Sequence, residues 1–96
     1  MPEDKRYLYM AKVLKAMAHP TRLFILDRLN EKDHCVGELQ ELVGIDMSTM
    51  SRHLSVLKEA GIIAGEKRNN MVIYKLLCPC VLEMYHCVSK MTDQDK

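Results

Sequence analysis

The stretch that most constrains this chain is Val43–Gly61, VGIDMSTMSRHLSVLKEAG. Gly44 permits a tight turn after the apolar Leu39, Leu42 and Val43, and Asp46 then stands where a helix N-cap accepts a backbone N–H. Met50, Leu54 and Leu57 follow at helical spacing and predict a buried stripe, while Ser48, Ser51, Arg52 and Ser55 fall on other faces. Gly61 offers a left-handed stop just past the helix end, and Lys58 in the last turn suits the helix dipole. These signals predict a helix over about residues 46–60. Its outward face separates it from an ordinary amphipathic helix, which would carry alternating Glu and Lys. Small hydroxyls and an Arg instead permit close approach to phosphates and base edges. The stretch therefore reads as the turn and recognition helix of a helix-turn-helix. Its candidate DNA contacts are Met47, Ser48, Thr49, Ser51, Arg52, His53, Ser55 and Lys58.

The rest of the chain reads as support for that helix within one domain spanning residues 1–96. Leu8, Ala11, Val13, Leu14, Met17 and Ala18 make residues 5–18 a helix with more apolar surface than its own packing needs. Pro20 ends it by disfavouring helical geometry at His19, and itself suits the first position of the next helix. His19 is accordingly a hinge or cap rather than a ligand. The second helix turns Leu23, Ile25, Leu26 and Leu29 inward. The next begins within Cys35-Val36-Gly37-Glu38-Leu39 and is expected to bury Val36, Leu39, Leu42 and Val43.

After Gly61 the spacing changes to short β-branched runs, Ile62-Ile63 and Val72-Ile73-Tyr74 with Leu76, which predict two strands. Between them EKRNN, residues 66–70, forms a polar tip in which Asn69-Asn70 can adopt a tight hairpin. The span of about 62–77 is thus a basic wing, and Lys67, Arg68, Asn69 and Asn70 are its candidate DNA contacts. A last helix over about 79–91 starts with Pro79 at its first position and carries Val81, Leu82, Met84, Tyr85 and Val88. Its apolar surplus, with that of the first helix, points to a two-fold dimer. The tail from Thr92 to Lys96 is expected to be disordered. The fold class is mainly α with a small β-hairpin wing, a dimeric winged helix-turn-helix.

Composition limits the alternatives. With 48% apolar and 28% charged residues and no long uninterrupted apolar run, this is not a membrane protein. Glu3, Asp4, Lys5 and Arg6 lead into an amphipathic pattern rather than a signal peptide, so a cytoplasmic location is expected. A net charge of only +1 means that any basic footprint is local or doubled by dimerisation. No general base stands at motif spacing from a cysteine, and no phosphate loop is legible, which argues against an enzyme.

The four cysteines are expected to be thiols. Cys78 and Cys80 flank Pro79 at a helix start, where backbone N–H groups favour the thiolate that binds soft metals and reacts with oxidants. Cys87 lies seven residues beyond Cys80, roughly 10 Å along a regular helix, too far for one ion to bridge. A three-thiolate site therefore needs Cys87 of a second protomer, Cys35, or an unwound helix start. Cys35 and Cys87 also fit as small buried hydrophobes. Glu83 and His86, three apart, read as a solvated surface pair.

Taken together, LKAMAHPTRLFILDRL, then CVGELQELVGIDMSTMSRHLSVLKEAGII, then VIYKL resemble the ArsR/SmtB family of winged helix-turn-helix repressors over nearly the whole chain. AHPTR, the S-x-x-S-R-H-L core at Ser48–Leu54 and LKEAG carry the likeness. The resemblance implies a homodimer that binds double-stranded, pseudo-palindromic operator DNA and releases it when an inducer binds. It has no constitutive cofactor. The inducers it implies are thiophilic metals or metalloids; from the clustered thiols As(III) is expected before Cd(II) or Zn(II), with Cys78, Cys80, Cys87 and Cys35 as the candidate ligands. The alternative it implies is an oxidant or reactive sulfur species. A winged helix used purely for protein interaction is the remaining reading. Arsenic-responsive members commonly carry Cys-Val-Cys-Asp-Leu, whereas this chain has Cys35-Val36-Gly37-Glu38-Leu39 and lacks the second thiol.

Overall fold

The computed structural model describes residues 4–93. In chain order these form α1 (Lys5–Met17), α2 (Pro20–Glu31), β1 (His34–Cys35), α3 (Val36–Val43), α4 (Met47–Glu59), β2 (Ile63–Arg68) and β3 (Met71–Leu76). A 3₁₀ turn (Pro79–Val81) then leads into α5 (Leu82–Asp93). The helices pack around one core in which Ile25, Leu26, Leu39, Met50, Leu54, Leu57, Ile63 and Leu82 are fully buried. The predicted stripe Met50, Leu54 and Leu57 lies at its centre, so α4 is held by its inner face while its outer face stays in solvent.

Local signals set most of the boundaries. Asp4 caps α1 by accepting the Arg6 N–H at 2.8 Å. His19 caps α2 through Nδ1, which accepts the Thr21 N–H at 3.1 Å, and Pro20 occupies the first turn. His19 is thus the cap the sequence suggested. Gly44 (φ 80°) closes α3 and Gly61 (φ 81°) follows α4, both in the left-handed region where a Cβ is costly.

Several expectations are corrected. Leu42, expected inside, is 50% exposed: α3 turns Leu39 into the core with Val36 and Val43 packed beside it, which leaves Leu42 on the rim next to Phe24. The sheet has three strands, in the order β1-β3-β2, because His34 and Cys35 pair with Tyr74 and Ile73. Two residues are too few to show a strand period in sequence. The polar tip of the wing contracts to Asn69-Asn70, both with positive φ, because Glu66, Lys67 and Arg68 pair with Ile73, Val72 and Met71 as regular strand. The last helix begins with a 3₁₀ turn, and its α-helical part runs past Met91 through Thr92 and Asp93. Thr92 and Ser89 support that end, each hydroxyl donating to the carbonyl three residues earlier. Of the tail expected to be disordered, residues 94–96 lie outside the described residues.

Candidate nucleic-acid interface

The presentation of α4 begins at its N-terminus. The Asp46 carboxylate accepts the Thr49 N–H at 3.0 Å and the Thr49 hydroxyl at 2.7 Å. These bonds, the hydroxyl's first, hold Asp46 below the usual carboxylate range. Gln40 Nε2 donates to the Ile45 carbonyl at 3.2 Å and ties the turn between α3 and α4 to the first helix. Met47, Ser48, Ser51, Arg52, Ser55 and Lys58 are all exposed, so the outer face offers hydroxyls and cations as expected. Thr49 is half-buried and its hydroxyl is engaged by Asp46.

His53 is the exception on this helix. Expected to face DNA, it is only 8% exposed and points into the seam between α4 and α2. Arg22 Nε donates to His53 Nδ1 at 3.1 Å, and Arg22 Nη1 donates to the Ala16 carbonyl at 3.1 Å. The His19 ring lies 4.6 Å from that of His53 between centroids, tilted by 53°. Burial first, then the neighbouring His19, Arg22 and Arg52, push His53 below the ordinary histidine range. Sequence spacing could have raised this position, since His53 immediately precedes the buried Leu54. A polar side chain gave no reason to turn it inward without knowledge of Arg22.

In the wing, Lys67, Arg68, Asn69 and Asn70 are exposed. Arg68 is engaged within its own strand: its Nε and Nη2 donate to the two Glu66 oxygens at 3.3 and 3.2 Å. That pairing raises Arg68 and lowers Glu66 from their ordinary values. Lys67 points to the opposite face of β2 from this pair.

The cysteines are free thiols. Cys78, Cys80 and Cys87 are exposed, so Cys87 is not the buried hydrophobe it could have been. Cys35 is half-buried at the N-cap of α3. Its backbone N–H donates to Glu38 Oε1 at 3.0 Å, which lowers the Glu38 carboxylate. Among the described residues of one protomer, no three His, Cys, Asp or Glu side chains come together in a way that could hold a metal ion. Neither Cys35 nor the 3₁₀ start of the last helix brings a third donor to the Cys78/Cys80 pair.

Comparison with known proteins agrees with this geometry. Residues 19–64, from the α2 cap to the start of the wing, match the family model described as bacterial regulatory protein, arsR family. The HTH-type transcriptional regulator Rv0081 of Mycobacterium tuberculosis is 38% identical over 85 residues, 88% of this chain and 75% of that protein. The chain belongs to the ArsR family. A second relative, the biofilm growth-associated repressor of Xylella fastidiosa, is 37% identical over 76% of this chain and 64% of its own length. The solved structure of reduced HlyU from Vibrio cholerae superimposes with a TM-score of 0.81 at 30% identity, covering 92% of this chain and 97% of that one. ArsR-family proteins are DNA-binding transcriptional repressors, not enzymes, and this chain is one of that family. No described helix is long and apolar enough to cross a membrane.

Proposed function

We propose that this ArsR-family repressor acts in the cytoplasm as a homodimer on pseudo-palindromic operator DNA, and that its thiols set operator affinity. The observation that carries the DNA-binding part is the exposed polar face of α4, Ser48, Ser51, Arg52, Ser55 and Lys58, on a helix whose opposite stripe is anchored in the core. The wing adds Lys67, Asn69 and Asn70 beside it. Dimerisation is supported by unpartnered apolar side chains on α1 (Tyr7, Leu8, Met10, Leu14) and α5 (Met84, Val88, Met91). Leu14, Met84 and Val88 among them line an apolar groove of about 460 Å³ between α1, α2 and α5. Pairing through these faces supplies two copies of α4 and doubles a modest basic footprint. Spacing them one DNA turn apart, ~34 to 36 Å, would let them read successive major grooves.

Control is assigned to the C-terminal segment because three exposed thiols, Cys78, Cys80 and Cys87, lie along the same stretch as the apolar dimer face. An inducer there would act by changing the spacing of the two recognition helices. For a thiophilic ion such as As(III), Cd(II) or Zn(II), Cys78 and Cys80 supply two thiolates, and a third donor would come from Cys87 of the second protomer. A redox or reactive-sulfur switch is the second reading. It is favoured by the absence of a three-donor cluster among the described residues of one protomer, since oxidation needs only two sulfurs. HlyU, solved in a form described as reduced, is a neighbour consistent with it.

Fluorescence anisotropy with operator DNA, titrated in turn with arsenite, cadmium, zinc and peroxide, separates these readings. Release by an ion in the reduced protein supports the metal site. Release by peroxide alone, with a disulfide or persulfide seen by mass spectrometry, supports the redox switch. Operator affinity unchanged by all four removes thiol control. Failure to bind any duplex with salt dependence removes DNA binding and leaves a protein-interaction module.

A further inference from the structure

The seam between α1, α2 and α4 holds a cluster that DNA contact does not explain. A neutral imidazole has one nitrogen that donates and one that accepts. His53 Nδ1 faces the Nε–H of Arg22, a group that only donates, so Nδ1 must be bare and the ring proton must sit on Nε2. The same holds for His19, whose Nδ1 accepts the backbone N–H of Thr21. The only site left for a second proton on either ring is the nitrogen already accepting a bond. Protonating His53 would set two N–H donors against each other and cut the tie between Arg22 and the recognition helix.

The surroundings offer such a charge little compensation. From α2 and its cap, His19 and Arg22 face His53, and from α4, Arg52 is its neighbour in sequence. In the groove beside Arg22, α1 contributes Lys12 and Lys15, and α4 contributes Glu59 as the one carboxylate lining it. The two rings, 4.6 Å apart, would also repel if both were charged. Burial and this excess of cations both keep His53 neutral, the state in which it accepts from Arg22.

We propose that Arg22 and His53 form a latch that positions the recognition helix only while His53 is neutral, so that operator affinity falls on acidification. Arg22 and His53 are positioning residues: neither touches DNA, and both act through the placement of α4. The inference rests on DNA binding by α4 as proposed above.

The test uses the full-length reduced protein and a duplex selected by it from a randomised pool at about pH 7.5, with ionic strength held constant because phosphate contacts are salt-dependent. Between about pH 7.5 and pH 5.5 the wild type should weaken by about tenfold, the effect of losing one hydrogen bond to a charged donor. His53→Ala should bind weakly at both values. His53→Asn, whose Oδ1 can accept from Arg22 but takes no proton, should recover most of that loss and bind alike at both. Nitrogen-15 NMR of the His53 ring should show the proton on Nε2 at neutral pH. Parallel pH profiles for wild type and His53→Asn, or a proton on Nδ1 at neutral pH, would overturn the latch. If no duplex is selected, the DNA-binding reading fails while the latch is still decided by amide exchange. Protection of α4 lost on acidification in the wild type but kept in His53→Asn supports it, and equal loss in both overturns it.

Discussion

Asp46 accepts both the backbone N–H and the hydroxyl of Thr49, at 3.0 and 2.7 Å, so one carboxylate ties down the first turn of the proposed recognition helix. Asp46→Ala removes both bonds and should lower the thermal midpoint by a few degrees, whereas Asp46→Asn, itself a good N-cap, should retain most of the stability. Scanning calorimetry of the pair checks this. A loss as large in Asp46→Asn as in Asp46→Ala would mean that charge, not capping geometry, holds the turn.

The two titrating groups with lowered values on α4 predict the pH dependence of stability. Asp46 contributes stability that is present above the ordinary carboxylate range and is lost as pH falls through its lowered folded value. His53, also lowered in the folded state, contributes stability present above the ordinary histidine range and lost on acidification through its own lowered value. Urea midpoints measured from about pH 7 down to pH 3 should therefore fall in two stages. The upper stage should vanish in His53→Asn, and the lower should shrink in Asp46→Asn to the share left by Glu38 and Glu66, whose carboxylates are also lowered.

Leu54 and Leu42 are both apolar residues on the helix-turn-helix, but Leu54 is 1% exposed and Leu42 is 50% exposed. Leu54→Ala should cost about 2 to 5 kcal/mol, and Leu42→Ala no more than about 0.5 kcal/mol. Chemical denaturation measures both. Similar losses would place Leu42 in contacts beyond those of the single chain.

Arg52 is exposed in the middle of the outer face of α4. Arg52→Ala should cost about 1 to 3 kcal/mol at one operator position if it reads a base, and should weaken all sequences alike if it holds a phosphate. Binding to a panel of single-site operator variants assigns the role.

The wing predicts an asymmetry between adjacent cations. Lys67→Ala should reduce the slope of log affinity against log salt by about one, as a phosphate contact requires. Arg68 must leave Glu66 before it can do the same, so Glu66→Gln should strengthen DNA binding. Unchanged affinity in Glu66→Gln would mean that Arg68 stays off the DNA.

Much of this molecule was determined by the sequence alone. Helix caps at Asp46 and His19, the proline that opens α2, the glycines at positive φ and the buried stripe of α4 are all set by neighbours within a few residues in the chain, so local chemistry makes them legible. The exposed hydroxyls and Arg52 of α4 followed from the same periodicity. What only the tertiary structure decided depends on partners far apart in sequence. His53 turns inward because Arg22, thirty-one positions away, offers it a donor. His34 and Cys35 become a strand because Ile73 and Tyr74 present an open edge. Leu42 stays outside because α3 is already filled by Leu39 and its neighbours. The cysteines divide the same way: spacing alone placed Cys87 too far along its helix from Cys80 to share an ion, but only the packed chain left Cys78, Cys80 and Cys87 exposed, with no three-donor cluster among the described residues of one protomer.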